Sequence, residues 1–166
     1  PVFYPSVGTP RNLVVQRTNA AVELYLTTGD KSYLNAIVQN KDAVFKNISG
    51  TAWTISRVIK KIDDPEFEAE FEKHLVSYRD SLQKKLTANP FGVFYEPQVW
   101  GFGWDILWGI YTHYYLAKHY PDIFSLQPLE DAVHYSLGAH AASSLSLVSG
   151  VGAHKPIPAF GMNRSD

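Results

Sequence analysis

The sequence predicts an all-α protein of about three antiparallel helical hairpins, followed by a long C-terminal loop segment. Three observations support this. Apolar residues recur at spacings of three and four along most of the chain. Hydroxyl or acidic caps, prolines and glycines divide those stretches into helix-length pieces. Links within each pair of pieces are only a few residues long, which forces the paired helices to run antiparallel.

Thr9-Pro10 puts a hydroxyl at an N-cap and proline at the first helical position. The first helix then repeats Leu13, Val14, Ala20, Ala21, Leu24 and Tyr25 and stops at Gly29. Asp30 caps a second helix with the stripe Leu34, Ile37, Val38, Val44, Phe45 and Ile48. A third follows Ser49-Gly50 and carries Ala52, Ile55, Val58, Ile59 and Ile62. Asp63-Asp64-Pro65 ends it and starts the fourth. There Phe67, Phe71, Leu75, Tyr78 and Leu82 form one face, and the charged remainder is a solvated surface. A fifth helix, near 104–118, is apolar nearly all round and is expected to be buried on most sides. A sixth, near 129–137, stops at Gly138, and the glycine- and proline-rich tail is expected to be loop.

Composition narrows the function. The 166 residues fit one domain with a real core. A net charge of -1 and a pI near 6.7 give no basic surface for nucleic acid. The absence of cysteine removes disulfides, thiolate zinc sites and cysteine nucleophiles, and no histidine spacing resembles a metal signature. No cofactor is implied. No apolar run approaches the roughly 20 residues that cross a bilayer. The N-terminal residues lack both an initiator Met and a signal-peptide layout, so the chain reads as processed or cut from something longer.

The richest chemistry lies in residues 90–108, where Phe91, Phe94, Tyr95, Trp100, Phe102, Trp104 and Trp108 surround Glu96 and Asp105. Ring faces beside acidic acceptors suit a hydroxyl-rich ligand with apolar faces, that is, a sugar; core filling is the alternative for any single ring. In an up-and-down array, residues 87–103, the tail from 138 and the N-terminal residues emerge at one end. Long loops at one end of a rigid scaffold are where function usually sits.

The hairpin turn LTTGDKSYLNAI and the Trp-rich loop resemble an (α/α)6 barrel, the six-hairpin scaffold of many glycosidases. Tyr135-Ser136-Leu137-Gly138-Ala139-His140, then Ser146-Leu147-Val148-Ser149-Gly150-Val151-Gly152, resembles the YxLGxNP…SxVTGxG segment of family-nine glycoside hydrolases. The WGFGWD run at 100–105 is similar to the WGSN-type opening of the preceding inner helix in that family. Departures are His140 for the family Asn, Ala141 for the following Pro, a longer gap before Ser146, and only an echo of Pro-His-His-Arg in His154 or Arg164. The resemblance implies the C-terminal part of a larger, divergent catalytic toroid that acts on poly- or oligosaccharides. It also favours a secreted or periplasmic setting.

Inverting hydrolases need two carboxyl groups about 6.5–9.5 Å apart. Neither family position falls within this sequence, so the resemblance implies a substrate-binding face that does not hydrolyse by itself. The substrate-binding residues expected are Tyr95, Glu96, Trp100, Trp104 and Asp105, with His154 and Arg164 carried over from the family. Glu96 and Asp105 could instead be helix caps or surface charges, for which the helix dipole at Asp105 is sufficient reason. Trp108 is expected in the core, and Trp53 is a weaker stacking candidate. His113 and His119 read as core or surface histidines, and Glu130 with His134 as an ordinary helical pair. The serines at 143, 144, 146 and 149 lack a nucleophile elbow, and Gly150-x-Gly152 lacks the strand of a nucleotide loop. The alternative is a non-catalytic helical module binding a glycan or protein. A lyase or epimerase on the same scaffold is a weaker third reading. Partners expected are carbohydrate and either the rest of the chain or a second copy, with no nucleic acid and no membrane.

Overall fold

The computed structural model describes residues 12–88, 90–94, 102–139, 145–148 and 150–152. These are mostly helical, with no strand among them. The helices among the described residues are α1 (Leu13–Thr28), α2 (Ser32–Gln39), α3 (Lys41–Lys46), α4 (Ile48–Ile55), α5 (Ile59–Ile62), α6 (Pro65–Ala88), α7 (Phe102–His119) and α8 (Gln127–Ser136).

Local chemistry explains most boundaries. The start expected at Thr9-Pro10 lies outside the described residues, and α1 begins at Leu13 behind Asn12. Asn12 takes the left-handed conformation at φ 63°, which its short polar side chain tolerates, and its amide oxygen accepts from the Val15 N–H. Gly29, at φ 74°, ends α1 by donating to the Tyr25 carbonyl at 2.7 Å. Asp30 then accepts from the Ser32 N–H at 2.8 Å, and that bond holds its carboxyl below the ordinary carboxylate range. At the next corner the Asp64 carboxylate accepts from the N–H groups of Glu66 and Phe67 at 3.1 and 3.0 Å, with Pro65 opening α6.

Two expected helices are divided differently. The second breaks into α2 and α3 at Asn40 and stops at Asn47, before Ile48. Each Asn amide donates back to the carbonyl four residues earlier, Ala36 at 2.8 Å and Ala43 at 2.7 Å. Each backbone N–H turns to the carbonyl three residues earlier. Such side-chain competition interrupts the helical ladder without reversing the chain. Ser49-Gly50, expected as a boundary, lies inside α4; the break falls instead at residues 56–58, where the Ser56 hydroxyl donates to the Trp53 carbonyl at 2.8 Å.

Packing joins these pieces into rows. α4 lies between α1 and α7, while α3 packs on α6 and α8 packs on α7. Residue pairings give the direction of the first row. Asn12 bonds Asn47, Gly50 abuts Val15, and Glu23 pairs with Arg57, so α1 and α4 advance together. Trp53 meets Trp108 and Arg57 meets Tyr115, so α7 advances with them. The N-terminal ends of α1, α4 and α7 therefore share one end of the molecule.

Val22, Ile37, Phe45, Ile55, Val58, Phe67, Phe71, Leu75 and Leu116 form the main core, and Val93, Ile106 and Ala132 form a smaller one. The phenyl rings of Phe45 and Phe67 lie 5.0 Å apart at its centre. α7 departs from expectation: Trp104, Leu107, Trp108, Tyr111 and Tyr114 are exposed. Among the described helices, α4 and α8 share the most extensive surfaces with it.

A Cβ at Gly50 would lie 2.8 Å from Val15 Cγ2, and valine has little rotamer freedom in a helix to yield. Gly50→Ala is expected to destabilise the chain by about 1–2 kcal/mol, the clash outweighing the gain in helix propensity of about 1 kcal/mol. Urea denaturation checks this, and Val15→Ala in the same chain should recover part of the loss.

Candidate functional site

The row α1, α4 and α7 carries a cluster of rings on one flank. Trp104, Trp108, Tyr111 and Tyr115 lie four, three and four residues apart, which places them on one stripe of α7. Trp53 of α4, 7 % exposed, lies beneath Trp108, Tyr111 and Tyr115. Its ring meets Trp108 edge-on at 5.5 Å, Tyr111 at 5.3 Å and Tyr115 at 5.9 Å. Trp108 and Tyr111 stack at 5.5 Å with 26° between their planes. Such pairs hold one another in fixed orientations and leave their outer faces open.

Charged groups close the far end of this cluster. Arg57 lies 5.0 Å from the centre of the Tyr115 ring and 5.8 Å from that of Trp53, and it is paired with Glu23 from α1. The guanidinium is largely covered, while Glu23 is open to solvent. Rings, a cation and a carboxylate on one surface can stack on an apolar ligand face and hydrogen-bond to its hydroxyls.

A separate cleft of about 670 Å³ opens between α6 and α7. Leu82, Val93, Phe94 and Leu116 supply apolar wall, Asp105 and Lys85 line it too, and Trp108 borders both this cleft and the ring cluster. Phe94 lies directly on α7: a Cβ at Gly109 would fall 2.3 Å from Phe94 Cβ. His113, 3 % exposed, lines the cleft, and its Nε2 lies 2.7 Å from the Ser125 carbonyl oxygen. Since a carbonyl only accepts, Nε2 carries the proton and Nδ1 is the acceptor. Nδ1 is buried with no hydrogen-bond partner. Burial pushes the His113 pKa below its ordinary value, against a smaller opposing effect of the Ser125 bond.

The predicted site residues distribute as follows. Trp104 stands in the first turn of α7, 75 % exposed. Asp105, in the same turn, lines the cleft. Tyr95, Glu96, Trp100, His154 and Arg164 lie outside the described residues. Trp108, expected in the core, is 48 % exposed, and Trp53 is the buried centre of the cluster rather than a free platform. His119, Glu130 and His134 are exposed. Ser146 is buried, and its hydroxyl accepts from the Val148 N–H at 3.0 Å, a local turn bond that gives it a structural role. Glu23 and Arg57 are not legible in the sequence because their pairing joins residues far apart in the chain, where helical spacing carries no signal.

Among the described residues no group of three histidine or acidic side chains could hold a metal ion, and no helix is long and apolar enough to cross a membrane. Comparison with known protein families, characterised proteins and solved structures finds no match. The class defined by the described residues is therefore an all-α helical protein with an open aromatic face.

His113 makes stability depend on pH. Its folded pKa is lowered, so below about pH 6.5 the unfolded chain takes up a proton that the folded chain resists. Its contribution is complete above the unfolded pKa and is lost as pH falls from there toward the folded value. His113→Gln, which keeps a neutral N–H donor for Ser125, is expected to lose less stability than the parent chain on acidification. Urea midpoints at about pH 7.5 and about pH 5 measure the difference.

Proposed function

We propose that this chain provides the carbohydrate-binding face of a glycoside hydrolase-type domain. The observation that supports this most directly is the open stripe Trp104, Trp108 and Tyr111, the last two in contact with Trp53, with Arg57 and Glu23 beyond it beside Tyr115. From Trp104 to Tyr111 the stripe spans about 10 Å of helix, at ~1.5 Å per residue. That is enough for more than one ring of an oligosaccharide. The row of parallel helices α1, α4 and α7, with its open flank on α7, is also compatible with part of an α/α toroid. Stacking would be supplied by the tryptophans, and hydroxyl recognition by Glu23, Arg57 and the tyrosine hydroxyls.

Binding is the decisive readout. Titration with soluble β-linked oligosaccharides, followed by tryptophan fluorescence and calorimetry, is expected to show saturable binding that perturbs Trp104 and Trp108. Trp104→Ala should weaken it by about tenfold, the scale of one lost stacking ring. Because Trp104 is mostly exposed, the thermal midpoint should hardly move. Binding unchanged by Trp104→Ala, or no binding across a panel of neutral glycans, would remove the proposal.

A further inference from the structure

The row α1, α4 and α7 has an open helix flank at each end. Among the described helices, α1 packs chiefly on α2, α3 and α4, and α7 on α4 and α8. On α7, Trp108, Tyr111 and Tyr115 meet Trp53 of α4, while Ile106 and Ile110 lie in the small core with Ala132 of α8. Leu107 and Tyr114 are two turns apart between those two sides, and both are exposed. On α1, Val15 and Glu23 face α4. Leu13, Ala20 and Leu24 form a different stripe, at spacings of seven and four, and all three are exposed.

The two flanks match in height, shape and charge. Glu23 meets Arg57 and Arg57 meets Tyr115, so Leu24 stands at the height of Tyr114 and Tyr115. Val15 abuts Gly50, one turn before Trp53, which meets Trp108, so Leu13 stands near the first turn of α7. Ala20, between the two leucines, leaves room for the larger side chains of α7. Lys118, exposed one turn beyond Tyr114, makes no ion pair among the described residues. Within a turn of its height on α1 stands the Glu23 carboxylate, which is open to solvent beside the leucine stripe. Opposite charges at matched heights set the register of a contact more than they strengthen it.

We infer that a second copy of this chain covers both flanks. α7 of each copy docks on α1 of the other about a twofold axis parallel to the row, which closes six parallel helices into one circle. The two contacts are identical, and neither flank stays open. A contact of α7 with α7 would leave the α1 flank uncovered and its matching heights unused.

The inference does not rest on sugar binding, since neither Leu24 nor Tyr114 belongs to the stripe Trp104, Trp108 and Tyr111. Sedimentation equilibrium of the whole chain tests it, and a monomer–dimer equilibrium with no larger species is expected. Tyr114→Glu and Leu24→Lys, both at exposed positions, should each weaken the dimer at least about tenfold, because each spoils both contacts of its own homodimer. Mixing the two variants should restore dimers of about the parental affinity. In the mixed pair one contact is unaltered, and the other sets the new carboxylate against the new ammonium. A chain that stays monomeric up to about 0.1 mM, association into open-ended chains, a dimer untouched by Leu24→Lys, or variants that fail to complement each other would overturn it.

Discussion

The contact between Val15 and the bare backbone at Gly50 sets the spacing on which the rest of the row depends. Without a side chain at Gly50, α1 settles close enough to α4 for Glu23 to reach Arg57 further along the same interface. Arg57 in turn lies over Trp53 and Tyr115, so the position of α1 is passed through one cation to the rings of α7. A wider separation would leave a guanidinium over rings with no carboxylate beside it, a costly arrangement for a largely covered charge.

α4 occupies this central position with its polar side chains only partly satisfied: the Trp53 indole N–H and the Thr54 hydroxyl are buried without a hydrogen-bond partner, whereas others bond nearby. Thr51 donates to the Val44 and Asn47 carbonyls at 3.1 and 3.2 Å, and Ser56 donates to Trp53. Both hydroxyls are buried, yet neither requires water or a distant partner. The small side chains admit neighbours closely on several sides, and α1, α3, α6 and α7 all pack against this short helix. The Asn interruptions at 40 and 47 bring the preceding helices round it in two short segments.

Much of the helical plan was legible because caps and stops act locally. Gly29 and Asp64-Pro65 carry their meaning within a few residues, and the structure uses them as the sequence suggests. Asn40 and Asn47 were harder to read, since asparagine inside an apolar stripe breaks a helix only when its amide turns back on the backbone. Gly50 misled for a related reason: glycine marks either an end or a close approach, and only the neighbour, Val15, decides which. The exposure of α7 was hidden because an apolar girdle is equally consistent with deep burial and with an open face. Of the proposed site, Trp104 was readable from its neighbours in sequence, whereas Glu23 and Arg57 depend on tertiary packing alone.

Trp108 is a shared wall, touching Trp53 and Tyr111 on one side and bordering the α6–α7 cleft on the other. A single indole cannot turn to improve one surface without changing the other. A change in the orientation of this ring on the cluster side therefore also changes the shape of the cleft wall, and the reverse holds. The ring thus couples the shapes of two adjacent surfaces, with no moving domain or hinge required.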